Sequence, residues 1–118
     1  MYTMYWYPKC TTCQKAKKYL EAHGIQVQTI DIKLTPPSAK QLEDWMTAGE
    51  FPIKRFFNTS GMKYRELNLK DQVPQFDINQ AADLLATDGM LIKRPLLLKG
   101  DKLVAIGFKE EDYEKVCE

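Results

Sequence analysis

An α/β domain, built on a mixed sheet of about four strands flanked by helices and interrupted by a helical insertion, is the fold this sequence predicts. Three observations lead there. Short apolar, strand-like runs stand near both ends of the chain, at Tyr2 to Trp6 and across Pro95 to Ile106. A stretch of helical periodicity separates the first run from the next. The middle of the chain, about residues 38–90, carries two cap residues, Ser38 and Asp77, each ahead of apolar residues at helical spacing.

Tyr2 to Trp6 is short and aromatic-rich, the composition of a buried strand, and Tyr7-Pro8-Lys9 ends it. From Thr11 to His23 the positions Cys13, Ala16, Tyr19 and Leu20 recur at helical spacing, while Lys15, Lys17, Lys18 and Glu21 fill the other face. Gly24 follows as the C′ stop. Ile25 to Ile32 reads as a second strand with a half-exposed start, expected to run parallel to the first because a helix separates them. Leu34-Thr-Pro-Pro37 makes a stiff turn. Ser38 then caps a helix carrying Leu42, Trp45 and Met46 on one side, and Gly49 closes it. Phe51 to Asn58 is expected to form a further short helix before Asn58-Thr-Ser-Gly61 breaks the chain. Asp77 caps a helix whose apolar face is Ile78, Ala81, Ala82, Leu84 and Leu85. Pro95-Leu-Leu-Leu98 is a compact buried run, Lys99-Gly-Asp-Lys102 a hairpin turn, and Leu103 to Ile106 the answering antiparallel strand. Phe108 to Val116 is the last helix. The order β-α-β, helical insertion, β-β-α is that of a thioredoxin-like (glutaredoxin-like) fold carrying an insertion, and residues 1–118 are expected to make one such domain.

At 118 residues the chain can bury one core but not two. Its net charge of +1 argues against direct nucleic-acid binding, which shows as a basic excess or a basic face. No apolar run approaches a membrane span, and the N-terminus lacks a basic segment followed by an apolar one. A cytoplasmic monomer without a membrane partner is expected. Three cysteines do not make a disulfide framework, and an odd count with one closely spaced pair fits a reducing compartment.

That pair is Cys10 and Cys13, at the junction of the first strand and first helix. The nucleophile in disulfide chemistry is the thiolate, and the unpaired N–H groups of a helix N-terminus favour negative charge. Cys10 is placed to attack, and Cys13, one turn further in, lies within bridging reach to resolve. Lys9, Lys15, Lys17 and Lys18 are expected to serve solvation first, while their field helps to lower the Cys10 pKa. Two plainer explanations stand beside this one. The pair could be small packing residues, a role that suits Cys13 on the apolar stripe better than Cys10. It could be half of a zinc site, but four ligands are needed and only Cys117 and His23 remain, so no metal is expected. His23 at a helix end has an ordinary dipole contact to explain it. Cys117, in the last turn, is expected to be a bystander.

Tyr7-Pro-Lys-Cys-Thr-Thr-Cys13, the Pro36-Pro37 turn ahead of a helix, Ile92-Lys-Arg-Pro-Leu-Leu-Leu98 and Ala105-Ile-Gly-Phe-Lys109 together resemble the arsenate reductase (ArsC)/Spx family, over nearly the whole chain. The likeness is greatest to its short members with a Cys-x-x-Cys motif. The resemblance implies a thiol-dependent oxidoreductase with Cys10 as nucleophile, Arg94 holding an oxyanion or a thiolate beside it, and Pro95, cis in this family, facing the cysteine. It implies no bound cofactor, with glutathione, glutaredoxin or thioredoxin as electron donor, and a small thiol, an oxyanion or a redox protein as the other reactant. Arsenate reductases of this type resemble one another in a trio of arginines, whose planar forks suit an oxyanion. Here only Arg94 stands clearly in place. Lys54, with Arg55 beside it, falls where the second would be, none falls at Ala105 to Gly107, and Gln14 replaces an arginine usual soon after the catalytic cysteine. Lys54, Arg55 and Pro95 are the expected substrate-binding residues, and arsenate is not the favoured substrate. Cys13, absent from that arsenate reductase pattern, resembles the Spx branch, regulators that bind the RNA polymerase α subunit. A redox-sensing regulator is therefore the alternative that the resemblance implies.

Overall fold

The computed structural model describes residues 1–117. Its elements follow in the order β1 (Tyr2–Trp6), α1 (Thr11–Ala22), β2 (Val27–Asp31), α2 (Ala39–Thr47), α3 (Met62–Glu66), α4 (Leu69–Gln72), α5 (Ile78–Ala86), β3 (Leu96–Lys99), β4 (Lys102–Ile106) and α6 (Glu110–Cys117), with 3-10 turns at Ile53–Phe56, Val73–Gln75 and Gly89–Leu91. Two compact units divide the chain, Met1–Asp31 with Arg94–Glu118, and Ile32–Lys93. The first holds the sheet and the second is the helical insertion. This is the thioredoxin-like arrangement.

In the first unit the strands lie in the order β2-β1-β3-β4, with β1 and β2 parallel and the other two pairs antiparallel. Register places Met4 beside Leu97 and Leu97 beside Ala105, a row across three strands. Ala16 and Leu20 of α1 and Tyr113 of α6 pack on that row to form the core. Each large apolar side chain buried there contributes about 1.5 to 3 kcal/mol. Tyr113 is fully buried but not unsatisfied, since its hydroxyl donates to the Gly107 carbonyl at 3.1 Å.

The end of α1 explains why β2 begins later than its sequence pattern indicates. Gly24 adopts φ 76°, its N–H donates to the Glu21 carbonyl (3.0 Å), and the Ile25 N–H reaches back to Leu20 (2.9 Å). Those two bonds make a Schellman ending, which consumes Ile25 before any strand can start. Strand pairing therefore runs from Val27 to Asp31 and not from Ile25 to Ile32. The final helix likewise begins at Glu110 and not at Phe108, whose ring packs edge-on against Tyr113 with centroids 4.8 Å apart.

In the insertion, α2 and α5 pack on each other through Leu42, Trp45 and Met46 and through Ala81, Ala82 and Leu85, all buried. Both begin with capping boxes, Ser38 with Gln41 and Asp77 with Gln80. The short helix expected over Phe51 to Asn58 is a single 3-10 turn, Ile53–Phe56, after which Phe57 extends and bridges to Ile92. Backbone bonds from Asn58 N–H to Leu91 (2.7 Å) and from Lys93 N–H to Phe56 (2.9 Å) hold that extended pair, so helical continuation is excluded. The Phe57 ring stands 6.3 Å from Tyr64 and 6.4 Å from Phe76. Among the described residues no helix is long and apolar enough to cross a membrane.

Candidate active site

Cys10 is the N-cap of α1. Its backbone is extended (φ −84°, ψ 117°), its N–H donates to the Tyr7 carbonyl at 2.9 Å, and its own carbonyl accepts the Gln14 N–H at 3.1 Å. The Cys10 sulfur accepts the Cys13 N–H at 3.4 Å, the bond an N-cap oxygen would take. Just upstream, Gln14 Nε2 donates to the Pro8 carbonyl at 2.7 Å and ties the loop to the helix it feeds. Cys10 is half-buried, Cys13 fully so, and both are free thiols.

Their environments push the two thiols apart. Burial alone would raise the Cys10 pKa, yet it lies below its ordinary value, because the Cys13 thiol and N–H, the Arg94 guanidinium and the Thr12 N–H all favour the thiolate. For Cys13, burial leads and the neighbouring Cys10 sulfur adds to it, against the Tyr7 N–H and Arg94, so its thiol is pushed up to about 12. The two thiols are thus shifted in opposite directions, Cys10 towards the thiolate and Cys13 towards the thiol. Lys9, Lys15, Lys17 and Lys18 are not among these causes, contrary to the sequence expectation. Lys17 is engaged elsewhere, 3.7 Å from a Glu21 carboxylate oxygen and 5.6 Å from the Trp6 ring centroid.

Arg94 enters the same unit from the start of the β3 segment. Its Nε and Nη1 are buried without a hydrogen-bond partner, and its guanidinium carbon lies 5.4 Å from the centroid of the Tyr7 ring. Buried cationic donors without acceptors are unfavourable, and an anion is the group that satisfies them. The Arg94–Pro95 peptide is cis. Pro95 is buried and its carbonyl accepts the Gly107 N–H at 2.8 Å.

Cys10, Cys13, Arg94 and Pro95 thus belong to one unit. Lys54 and Arg55 belong to the insertion, on the Ile53–Phe56 turn, where Arg55 sits over the Phe51 ring at 6.0 Å. His23 Nδ1 is 2.8 Å from the Tyr19 carbonyl and its ring stacks on Tyr19. Cys117 packs against the core, where burial raises its thiol pKa. Among the described residues no three His, Cys, Asp or Glu side chains are grouped to hold a metal ion. Tyr7, which sequence periodicity treats as the end of a strand, is the participant that pattern alone does not reveal. Its one signal is its place beside Pro8, within the loop that delivers Cys10.

Residues 5–116 match the model of the ArsC family. Uncharacterized protein YusI of Bacillus subtilis is 52% identical over 113 residues, covering 96% of this chain and 95% of that protein. The global transcriptional regulator Spx of Lactiplantibacillus plantarum is 25% identical over 115 residues, covering 98% and 85%. Among solved structures, that of a possible arsenate reductase from Streptococcus mutans superimposes with a TM-score of 0.90 at 48% identity, covering 97% of this chain and 98% of that one.

Proposed function

The chain belongs to the ArsC family, and from that premise we propose that it is a thiol–disulfide oxidoreductase in which Cys10 attacks and Cys13 resolves. The observation that carries the proposal is the Cys10 sulfur standing as the N-cap of α1 and accepting the N–H of buried Cys13 at 3.4 Å, surroundings that lower the Cys10 pKa and raise that of Cys13. The Cys10 thiolate attacks one sulfur of a substrate disulfide. A Cys10–substrate disulfide forms as the other substrate sulfur leaves as a thiolate. Cys13 then attacks the Cys10 sulfur and expels the second substrate thiolate, which takes up the Cys13 proton. Two electrons have passed from the cysteine pair to the substrate, and the pair is left as a disulfide. An external thiol donor, glutathione with glutaredoxin, or thioredoxin, returns it to the dithiol.

Consumption of the Cys10 thiolate in the first step also removes a charge that holds the Cys13 proton, so the resolving thiol becomes easier to ionise when it is needed. Arg94, with Nε and Nη1 unpartnered, would receive the developing thiolate or an anionic group of the substrate. The step requires neither Lys54 nor Arg55. A disulfide is favoured over arsenate because the sequence keeps one clear member of the arginine trio.

The test is turnover of a model disulfide and, separately, of arsenate, with each donor system. Wild-type turnover lost in Cys10→Ser supports the proposal. Equal inactivity of both proteins towards the disulfide with every donor removes it.

A second reading has its own support in the 25% identity to the Spx regulator across nearly this whole chain. Here the Cys10–Cys13 disulfide forms on oxidation and alters binding to the RNA polymerase α subunit. Redox-dependent retention of the α C-terminal domain by the purified protein would favour it, and no retention in either state would dispose of it.

A further inference from the structure

We propose that Tyr7 is a positioning residue for this site: the face of its ring holds the Arg94 guanidinium, leaving Nε–H and Nη1–H for an anionic group carried by the substrate beside Cys10. The inference deepens the oxidoreductase reading and rests on it for the identity of the reaction. It commits to a substrate class, a disulfide with a carboxylate near the reacting sulfur.

A guanidinium has two kinds of surface. Its hydrogen-bond donors lie in the plane, and its faces carry none. A carboxylate partner would bind in the plane, occupy two donors and offset the charge. An aromatic ring attracts a cation placed over the ring's own face, within about 6 Å of its centroid, and does not offset the charge. Arg94 has an aromatic partner, with its guanidinium carbon over the Tyr7 ring, 5.4 Å from the centroid. Its buried Nε and Nη1 remain unpartnered, and neither the Lys17–Glu21 nor the Lys40–Asp44 ion pair involves it. Such an arrangement fixes the position of a cation while leaving its charge and its donors in use.

Tyr7 is also bonded to the nucleophile's own backbone, since its carbonyl accepts the Cys10 N–H at 2.9 Å. One residue therefore touches the cation through its ring and the cysteine through its main chain. The Gln14 bond to Pro8, 2.7 Å long, steadies the loop between them. A substitution at position 7 that keeps the backbone but removes the ring should release Arg94 while leaving the Cys10 loop in place.

The experiment compares the stoichiometric reaction of Cys10 with two disulfides, the dianionic 5,5′-dithiobis(2-nitrobenzoate) and the uncharged 4,4′-dithiodipyridine. The proteins are full-length wild type, Tyr7→Phe, Tyr7→Leu and Tyr7→Ser. Tyr7→Phe should retain the wild-type ratio of the two rates. Tyr7→Leu and Tyr7→Ser should lower the rate with the anionic disulfide about five- to tenfold more than the rate with the neutral one. A merely structural role would slow both reagents equally and leave the ratio unmoved. An unchanged ratio in Tyr7→Leu overturns the assignment, and this variant retains side-chain bulk should Tyr7→Ser fold poorly. Because no turnover is needed, a ratio that depends on Tyr7 in a protein without catalytic turnover keeps this inference and rejects only the enzyme.

Discussion

The N-termini of α1 and of the insertion helices α2 and α5 are built on one plan and filled with different chemistry. At each, the N-cap side chain accepts the N–H of the third helical residue. Ser38 Oγ accepts from Gln41 at 3.1 Å and Asp77 Oδ1 from Gln80 at 2.8 Å, and each glutamine returns a bond to its cap. In α1 the cap is the Cys10 sulfur at 3.4 Å, and the third residue is Cys13, so the same two positions hold a thiol pair. Oxygen caps with reciprocal glutamines stabilise a helix. The sulfur version gives a longer, weaker bond and leaves a thiol at the helix start. The contrast shows how one local geometry carries an oxygen cap in the insertion and a thiol pair in the sheet unit.

The largest way to break this contrast is Cys10→Ser. It restores an oxygen cap, so the thermal unfolding midpoint should hold or rise, with a gain of up to about 1 kcal/mol. Turnover of a disulfide should fall about a thousandfold or more. A drop in the midpoint together with lost activity would mean that the sulfur is structural.

Cys13→Ala separates resolution from attack. Cys10 should still form a mixed disulfide, trapped and weighed by mass spectrometry, while multiple turnover slows by about tenfold or more for lack of a nearby resolving thiol. The midpoint of the Cys10 alkylation rate against pH should move up, since the Cys13 thiol is a leading cause of the lowered value.

The same variant sharpens a pH effect on stability. Cys13 is raised from 9.0 to about 12 in the folded protein, so its contribution is complete below pH 9.0 and is lost as the pH climbs through that window. Cys10, lowered in the folded protein, contributes in the opposite sense, above its unfolded pKa, and loses this as the pH falls through its folded pKa. Denaturant titrations of wild type between pH 9 and 12 should show stability falling, less steeply in Cys13→Ala. Buried Tyr113, also raised, leaves part of the slope in both proteins.

The smallest effects belong to the insertion caps. Ser38→Ala and Asp77→Ala should each lower stability by about 1 kcal/mol in a denaturant titration. Neither should alter the Cys10 alkylation profile. A change in that profile would show that the caps and the thiol site are coupled.

Where the chain announces an element through a local cap or stop, the sequence reads correctly. Ser38, Asp77 and the Gly24 stop are such places, as is the cysteine pair ahead of α1. Residues 62–76 show the opposite. The structure has α3, α4 and a 3-10 turn there, for which the sequence pattern carries no expectation. Gly61 and Asn68, at the N-cap positions, form no side-chain cap bond, Asn68 is left-handed at φ 52°, and only Tyr64, Leu69 and Val73 are buried in a charged stretch. Helices this short are held by packing, which a periodicity of two or three apolar residues does not express. The site divides in the same way. Cys10 and Cys13 are visible as neighbours in sequence, whereas Tyr7 lies over Arg94 only because β1 and β3 pair.

By itself, then, the sequence determined the α/β order, the position of the thiol pair at a helix start and the family, since each is written in residues within a few positions of one another. The tertiary structure alone decided how strongly burial raises the Cys13 thiol, which ring stands beside the arginine and where β2 begins. Those outcomes depend on burial and on contacts between segments distant in the chain. No local pattern encodes how deeply a sulfur is covered or what stands across the sheet from it.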